Sequence, residues 1–370
     1  MPPEQLNNDK LVRGDLGRLE QTGLDMTMKK RSGSFFQKDQ HIVHAKSEAE
    51  GIEVLSLKDA LEKYSWMNKY YWNAVKKDKD RYTRFVARQK DEKGMVIIAH
   101  EGAKAIYPIQ ACLYLAGGAV QHVHNIIIAE KGAELHFISG CASATTEQRG
   151  AHYGITECYI KEDAKVTSTM IHNWGKKINV FPRTAAVVGD RATYMSNYIC
   201  LQPVGRINMY PTAYLTGEDS VGRFSSITVA HEGAHLDIGS RAILSGKGAS
   251  AELLTRAITT GGTTISRGHI RGETEGTRGH IECKGLILED GLIHAIPEIE
   301  GCVTGTELSH EAAVGKIASQ EIEYLMARGL DEETATSTII RGFLDVKIKG
   351  LPDILQKQID TAIDAAETGF

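Results

Sequence analysis

From Met95 to about residue 308 the chain is a succession of short β-prone segments, and no convincing helix interrupts them. Segments such as MVIIAH, KVTSTMIHNW and HIECKGLIL are rich in β-branched and apolar residues, and many of them alternate polar with apolar positions. A doubly wound α/β fold needs a crossover helix after each strand, so this pattern excludes it.

A turn motif recurs along this β-prone region. KGAEL (131–135), EDAKV (162–166), EGAHL (232–236) and KGASA (247–251) share it, and DGLIH (290–294) is a looser copy. The unequal spacing argues against the fixed blades of a propeller. It favours a solenoid whose coils differ in length, that is, a parallel β-helix. A large β-sandwich is the alternative architecture.

The N-terminal flank has a different pattern. Residues 1–47 are polar and rich in charge, with room for a short helix only. Residues 54–78 carry apolar side chains at intervals of three to four, behind Ser56 as a helix cap, so one or two helices are predicted there.

The C-terminal flank is predicted to be helical, with an acidic cap at Asp331. The three expected helices cover residues 311–328, 331–346 and 355–366. The predicted domains are an N-terminal helical and polar region (1–94), a β-helix core (95–308) and a C-terminal helical domain (309–370).

Composition gives expectations about class and location. The net charge is −4 and the pI is near 6.4, so no strongly basic surface indicates nucleic acid or an anionic membrane as a partner. No apolar run approaches the ~20 residues that span a bilayer, and the first residues are too polar for a secretory signal. A cytoplasmic location is expected, and the six scattered cysteines are then expected to be free thiols.

Two histidine motifs resemble metal sites. HEGAH (231–235) matches the HExxH pattern of zinc peptidases, which requires a helix to place both histidines one turn apart. Here it lies between strand-like segments and coincides with the recurring turn, so we interpret it as accidental. His122 and His124 would share a face of a strand, but no third ligand is indicated, and partly exposed strand histidines are the preferred interpretation.

The segment 279–317 holds the residues that are the strongest candidates for a functional site. Alternation places Cys283 on the same face as Ile281, which by pattern alone indicates a buried, inert thiol. His310 and Glu311 are expected to open a helix. The phosphate-binding pattern GxxxxGK[ST] is absent, so the chain is not expected to bind or hydrolyse ATP.

The segment SHEAAVGKIASQEIEYLMARGL (309–330) resembles the C-terminal signature of the SufB/SufD family of iron–sulfur cluster assembly proteins. AEKGAELHFISGCASA (129–144), CYIKEDAKVTSTMIHNW (158–174) and RGFLDVKIKGLP (341–352) are similar to other parts of the family pattern. The resemblance covers roughly residues 95–365, and its motifs are specific only in combination.

This resemblance implies a fold and partners. The fold is a right-handed parallel β-helix flanked by helical segments. Family members bind SufC, an ABC-type ATPase, mainly through the C-terminal helices. The resemblance implies a non-catalytic scaffold that accepts persulfide sulfur and iron, holds a transient iron–sulfur cluster and passes it to apoproteins. It leaves open whether a reduced flavin takes part.

The resemblance also implies site residues. Cys283 matches the scaffold cysteine, Glu311 the SufB-type glutamate and His310 the SufD-type histidine, and all three are reasonable iron ligands. Cys141 matches an inner cysteine where sulfur enters, and a nearby cation would keep its thiolate ionised. Further along the internal path the resemblance implies Asn173, Trp174 and Arg183.

The chain departs from the SufB pattern in ways that bear on its assembly. The N-terminal cysteine cluster of many SufB proteins is absent, His172 replaces the usual Gln, and residues 1–94 have no recognisable match. One chain carries both the cysteine and the His-Glu pair, so we expect a two-fold homodimer flanked by two SufC subunits, with a SufB or SufD paralogue as the alternative partner.

Two enzyme classes stand as alternatives to a scaffold. A β-helix carbohydrate-active enzyme would place carboxylates of neighbouring coils in an exposed groove, although aromatic residues for sugar stacking are few at 6%. A zinc hydrolase would use His231, Glu232 and His235. The sequence offers no membrane segment for a transporter.

Overall fold

The computed structural model describes residues 18–19, 22, 30–117 and 120–344. There the chain forms a parallel β-solenoid of about 8 turns, with 54% strand, 13% helix and small helical segments toward the termini. The prediction of a mainly β protein built on a parallel β-helix is confirmed. Within the described ranges no helix is long and apolar enough to cross a membrane.

The described residues include twenty-one strands and several short helices. The strands are β1 Gly33–Lys38, β2 His41–Ser47, β3 Ile52–Ser56, β4 Met95–Ala99, β5 Ile109–Leu115, β6 Val120–Ala129, β7 Glu134–Ser143, β8 Arg149–Ile160, β9 Lys165–Asn173, β10 Lys177–Val180, β11 Arg183–Val188, β12 Thr193–Cys200, β13 Arg206–Met209, β14 Thr212–Leu215, β15 Val221–His231, β16 His235–Leu244, β17 Ser250–Thr260, β18 Thr263–Gly272, β19 Arg278–Leu288, β20 Leu292–Gly301 and β21 Glu307–Gly315. The helices are α1 Leu57–Lys63, α2 Arg81–Ala87, α3 Ser319–Met326 and α4 Glu332–Leu344, with a 3₁₀ helix over Ser65–Lys69.

The strands form two sheets that enclose a common lumen. The first sheet has the order β2-β1-β5-β7-β9-β12-β15-β17-β19-β21. The second runs β3-β4-β6-β8, continues through the short strands β10, β11, β13 and β14, and ends with β16-β18-β20. Among the described strands only β1–β2 and β3–β4 pair antiparallel. Sandwich sheets are antiparallel, so that alternative is wrong.

A residue with left-handed backbone conformation stands at the same corner of successive coils. These corner residues are Gly132, Asp163, Arg191, Asp219, Gly248, Gly276 and Gly305. Side-chain hydrogen bonds between neighbouring coils join residues 25 to 33 positions apart. The recurring turn looked irregular in the sequence because EGAHL belongs to a different corner, marked by Gly233 with φ of 76°.

Alternate residues of both sheets point into the lumen. Its packed interior includes Phe137, Tyr194 and Phe224 from the first sheet and Ile127 and Ile238 from the second. Burying one side chain of this size contributes about 1.5–3 kcal/mol. Residues of the opposite parity face outward, so the position of a residue within its strand decides whether its chemistry lies inside or outside the solenoid.

Helical segments cover parts of both outer faces. Leu57 of α1 and Met67 of the 3₁₀ helix pack on Ile126 of the second sheet. Ile340 of α4 packs with Leu286 on the first sheet. The N-terminal and C-terminal helices therefore lie against opposite sheets.

Strands extend further toward both termini than the sequence predicted. Gly33–Lys38 pairs with His41–Ser47 and with β5, where only a polar segment with a short helix was expected. Glu307–Gly315 pairs with β19, so the helix predicted over 311–328 is wrong in its first half. Backbone pairing with β19 overrides the helix propensity of EAAVGK, and α3 begins only at Ser319.

Other helix predictions are confirmed. Oγ of Ser56 accepts a hydrogen bond from the Asp59 amide at 3.0 Å, which caps α1. Oδ1 of Asp331 accepts from the Thr334 amide at 2.7 Å before α4. The helix predicted over 355–366 lies outside the described residues.

Candidate functional site

The first candidate site is a group of buried lumenal side chains, here called the lumenal cluster: Cys141, His172, Trp174, Tyr198 and Cys200. Cys141 on β7 pairs in register with His172 on β9, and Cys200 on β12 stands beside His172. Each of the five is at most 5% exposed. The Tyr198 hydroxyl lies 2.9 Å from Nδ1 of His172. The cluster therefore places two thiols on either side of an imidazole.

Burial sets the protonation of the lumenal cluster. It raises the pKa of the Cys141 thiol above its usual range and that of Cys200 to about 12. Burial, and then the neighbouring His152, hold the pKa of His172 well below its ordinary value. Thiols and a neutral imidazole are therefore favoured at neutral pH. The ionised thiolate expected at Cys141 is not favoured in this conformation.

Two residues expected along the internal path face outward, which corrects their placement. Asn173 lies on the outer face of the first sheet, where its amide donates to the Arg18 carbonyl at 3.1 Å. Arg183 lies on the outer face of the second sheet and donates to Asp80 at 2.5 Å. Strand alternation explains both positions. Trp174, which follows β9, does lie inside.

A row of polar lumenal side chains connects the lumenal cluster with the C-terminal end. In register along the first sheet, Tyr198 is followed by Ser226, Thr255 and Cys283. Ser226 donates to Thr255 at 3.2 Å. Three strand spacings of about 4.8 Å separate the strands of Tyr198 and Cys283 by about 14 Å. Direct transfer of sulfur from the Cys200 thiol to the Cys283 thiol is therefore not possible in this conformation.

The lumen beside this row contains a cavity of about 40 Å³. That volume accommodates a few water molecules, each of which needs at least about 10–15 Å³ measured in this way. The polar residues lining it are Asn125, Ser139, Thr156, Ser168, Thr184, Ser196 and Asn197. The centre of the solenoid is thus polar and incompletely packed, unlike the apolar layers around it.

The second candidate site lies at the C-terminal end of the solenoid. Cys283 points into the lumen, as predicted, and burial raises the pKa of its thiol. His310 pairs with Ile281 and so shares that face, whereas Glu311 pairs with Glu282 on the outer face. The sheet separates Glu311 from Cys283, so the three residues matched to family ligands do not surround one point within a single chain.

Glu311 has different neighbours, which the sequence reasoning missed. His280 and Glu282 project outward from β19, and Glu311 projects from β21 on the same side. One ligand atom from each of these three residues, here called the outer triad, lies within 4.8 Å of the others. The signal was the coil length: His280 contacts Ser309, 29 positions away, and the same offset joins Glu282 to Glu311.

The other histidine motifs do not form the metal sites that their sequences resemble. In HEGAH, His231 ends β15 and His235 begins β16, with a left-handed Gly233 between them, so the helix that HExxH requires is not formed. His124 is buried rather than partly exposed, and its Nε2 lies 2.8 Å from Oε1 of Glu157. All six cysteines are free, as predicted, and only Cys302 is exposed.

Comparison with known proteins gives a consistent result. Residues 113–343 match the family model described as SUF system FeS cluster assembly, SufBD core domain. An iron-sulfur cluster assembly SufBD family protein of Archaeoglobus fulgidus is 48% identical over 359 residues, which cover 96% of this chain and 96% of the relative. One from Methanothermobacter thermautotrophicus is 44% identical over 358 residues, covering 95% and 87%.

A more distant relative carries a more specific name. The iron-sulfur cluster assembly protein SufB of Bacillus subtilis is 28% identical over 311 residues, which cover 82% of this chain and 66% of the relative. The family model spans more than half of the chain, and the Archaeoglobus relative matches almost end to end. The chain belongs to the SufBD family of iron–sulfur cluster assembly proteins.

Proposed function

We propose that this chain is the scaffold component of a SUF machinery, which assembles iron–sulfur clusters with the SufC ATPase and transfers them to apoproteins. The observation that carries the proposal is the polar lumenal row that links the lumenal cluster to Cys283 near the open C-terminal end. The chain acts in this proposal as a non-catalytic scaffold, and the cluster is its cargo.

Sulfur would enter at the lumenal cluster. The Cys141 thiolate would attack the outer sulfur of a donor persulfide, forming a persulfide on Cys141 and releasing the donor thiolate. Because burial raises the pKa of Cys141, this step requires contact with a partner or a local opening that solvates the thiol. Cys200 and His172 are the nearest groups that could receive sulfur or hold it by hydrogen bonding.

Iron would be bound near Cys283. Cys283 and His310 supply a thiol and an imidazole on the lumenal face, and Glu311 supplies a carboxylate on the outer face. We propose that a second copy of the chain completes the ligand set, because a two-fold axis at the open end would bring two sets of these residues together. Among the described strands β20 and β21 end their sheets, and these edges together with the exposed Leu292 and Val314 support a homodimer there.

The C-terminal helices are proposed as the SufC docking surface. α3 has no buried residue among its eight, and its Tyr324 and Met326 are 58% and 43% exposed. An apolar helix surface of this kind suits a partner protein. Movements of SufC transmitted through α3 and α4 would then alter access to the open end.

Anaerobic reconstitution tests the scaffold role. The purified chain with SufC, iron and sulfide is followed by visible absorption and Mössbauer spectroscopy in wild type, Cys283→Ser and Cys112→Ser. Cys112 is another buried thiol, on the outer face of the first sheet, so it serves as a matched control. We expect a cluster in wild type and Cys112→Ser and its loss in Cys283→Ser.

A cluster that forms equally well in Cys283→Ser would overturn the assignment of Cys283 as a ligand. A wild-type chain that binds SufC and stimulates ATP hydrolysis but never holds a cluster would make it a helper in assembly rather than the scaffold. Neither the carbohydrate-active enzyme nor the zinc hydrolase is favoured, given the family assignment and the geometry of HEGAH.

A further inference from the structure

The outer triad contains a hydrogen bond that orients its imidazole. Nδ1 of His280 lies 2.8 Å from Oγ of Ser309, its register partner on β21. This contact engages Nδ1 of the ring, so an ion bound by His280 would have to use Nε2. Metal-binding histidines in proteins usually have such a partner on the second nitrogen, which fixes the tautomer and the ring orientation.

Cations balance the two carboxylates of the triad. Arg256 forms an ion pair with Glu282, while Nζ of Lys284 lies 3.2 Å from Glu282 and 3.6 Å from Glu311. Lys284 is a compact charge on a flexible stem, and its side chain is 32% exposed. A divalent ion placed between the carboxylates can therefore displace the Lys284 ammonium into solvent, while Arg256 continues to hold Glu282.

We propose that the outer triad of His280, Glu282 and Glu311 binds a divalent first-row transition-metal ion. One imidazole and two carboxylates suit Fe²⁺, Mn²⁺, Co²⁺ or Zn²⁺, whereas soft ions such as Cu⁺ prefer thiolates. The triad lies on the outer face of β19 and β21, the last two strands of the first sheet, so the ion reaches it from solvent without entering the lumen.

The identity of the ion in the cell rests on the proposed function. If the chain assembles iron–sulfur clusters, the ion is Fe²⁺, and the triad holds iron across the sheet from Cys283 and His310. A triad on the outside and a thiol on the inside would keep iron and sulfur apart until the open end rearranges.

Direct binding tests the site without sulfur or SufC. The chelator-treated full chain is titrated anaerobically with Co²⁺, followed by visible d–d absorption, and with Fe²⁺ by calorimetry. We expect one ion per chain. His280→Ala and Glu311→Gln should each weaken binding at least about tenfold, and His280→Ala should also change the d–d spectrum because a nitrogen ligand is lost. Lys284→Met should tighten binding by removing the competing ammonium.

Control variants distinguish metal binding at the outer triad from attraction of the ion to negative surface charge in general. Glu307→Gln, like Glu311→Gln, removes one negative charge from the exposed strand β21, but Glu307 lies outside the triad. This variant should leave metal binding unchanged. Ser309→Ala keeps all three ligands but removes the orienting hydroxyl, and a loss of about tenfold is expected. The Glu311 side chain is 58% exposed, so Glu311→Gln leaves folding intact and gives a result even if His280→Ala misfolds.

Three outcomes overturn the proposal. The first is a wild-type chain that binds no ion. The second is equal affinity in wild type, His280→Ala and Glu311→Gln. The third is an ion that is lost in Cys283→Ser but kept in Glu311→Gln, which would place it on the lumenal face. A chain that binds Co²⁺ at the triad and fails to assemble clusters would count against the proposed function only. A chain that assembles clusters but binds no ion at the triad would count against this site only.

Discussion

Glu157 is a carboxylate with no exposed surface, and it anchors the segment that precedes α2. It accepts hydrogen bonds from the backbone amides of Trp72 at 2.6 Å, Ala74 at 2.5 Å and Val75 at 3.0 Å. His124 and the hydroxyl of Tyr159 also contact it. The chain thus uses one buried charge to satisfy backbone groups that would otherwise have no partner.

Glu157→Gln should lower the free energy of unfolding by about 3–5 kcal/mol, because the amide group turns a donor toward backbone donors and removes the charge that they stabilise. Urea denaturation measures the change. Glu101→Gln, at an exposed turn, is the control and should stay within about 0.5 kcal/mol of wild type. A Glu157→Gln chain as stable as this control would contradict the anchoring role.

Buried histidines should make the chain sensitive to acid. Burial lowers the pKa of His152 to about 3, and it donates to Oε1 of Gln121 at 2.9 Å as a neutral ring. In the unfolded chain the same group titrates near 6.5. The unfolded state therefore binds more protons between about pH 6.5 and 3, so stability is complete above this window and falls as the pH is lowered through it.

The slope that one such histidine adds is at most about 1.4 kcal/mol per pH unit. His152→Gln should reduce the pH dependence of the urea midpoint between pH 6.5 and 4. The exposed His41→Gln should leave it unchanged. Identical slopes in wild type and His152→Gln would show that the buried imidazole is not what makes folding pH-dependent.

At the scale of single residues the sequence predicted some orientations and not others. Period-two alternation around Cys283 correctly placed it on the buried Ile281 face, because the segment HIECKG alternates clearly. The same argument was not available for Asn173 and Arg183, which were assigned to the lumen by resemblance alone. Which residues of β9 and β11 face the lumen could have been deduced only from the pairing register of neighbouring coils.

At the scale of elements, the tightest constraint is the stacking of glycines at one corner of the solenoid. A Cβ atom on Gly246 would lie 1.8 Å from the carbonyl oxygen of Gly217, and one on Gly217 would lie 2.0 Å from the carbonyl carbon of Gly189. Each contact is with backbone of the preceding coil, which cannot move without shifting the pairing of its strands. The corner therefore accepts only glycine at these positions.

Gly246→Ala should destabilise the chain by about 1–3 kcal/mol through this overlap. Thermal or urea unfolding measures the difference. Gly117→Ala is the matched control, since a Cβ there meets nothing within 4 Å. Equal stability of the two variants would mean that neighbouring coils can separate at the corner at little cost.

Element boundaries were predictable where a local signal dominates. Ser56 and Asp331 carry their own capping hydrogen bonds, so the starts of α1 and α4 were predictable from residue type. β21 was not, since a helix-favouring sequence is held as a strand by β19. Where a neighbouring coil supplies backbone hydrogen-bond partners, strand pairing overrides the local helix propensity.

At the scale of the whole molecule, the two ends of the solenoid differ. At the N-terminal end the edge strands β2 and β3 pair antiparallel with their neighbours, whereas at the C-terminal end the edge strands β20 and β21 belong to parallel pairs. Leu292 is 57% exposed, and Val314 is 41% exposed. Edge strands with exposed apolar side chains favour association, so this end is the expected contact of the proposed homodimer.

If the chain is the proposed homodimer, Leu292→Glu combined with Val314→Glu should convert it into a monomer, because pairing would bury four carboxylates near the two-fold axis. Light scattering after size-exclusion chromatography would then give a mass near 40.5 kDa in place of about twice that value. Ile106→Glu, at an 83% exposed position remote from β20 and β21 in the sheets, controls for loss of surface hydrophobicity and should remain dimeric. If wild type is itself monomeric, or if the double variant stays dimeric, the open end is not the homodimer contact. A monomeric wild type would instead require a SufBD paralogue to complete the ligand set around Cys283.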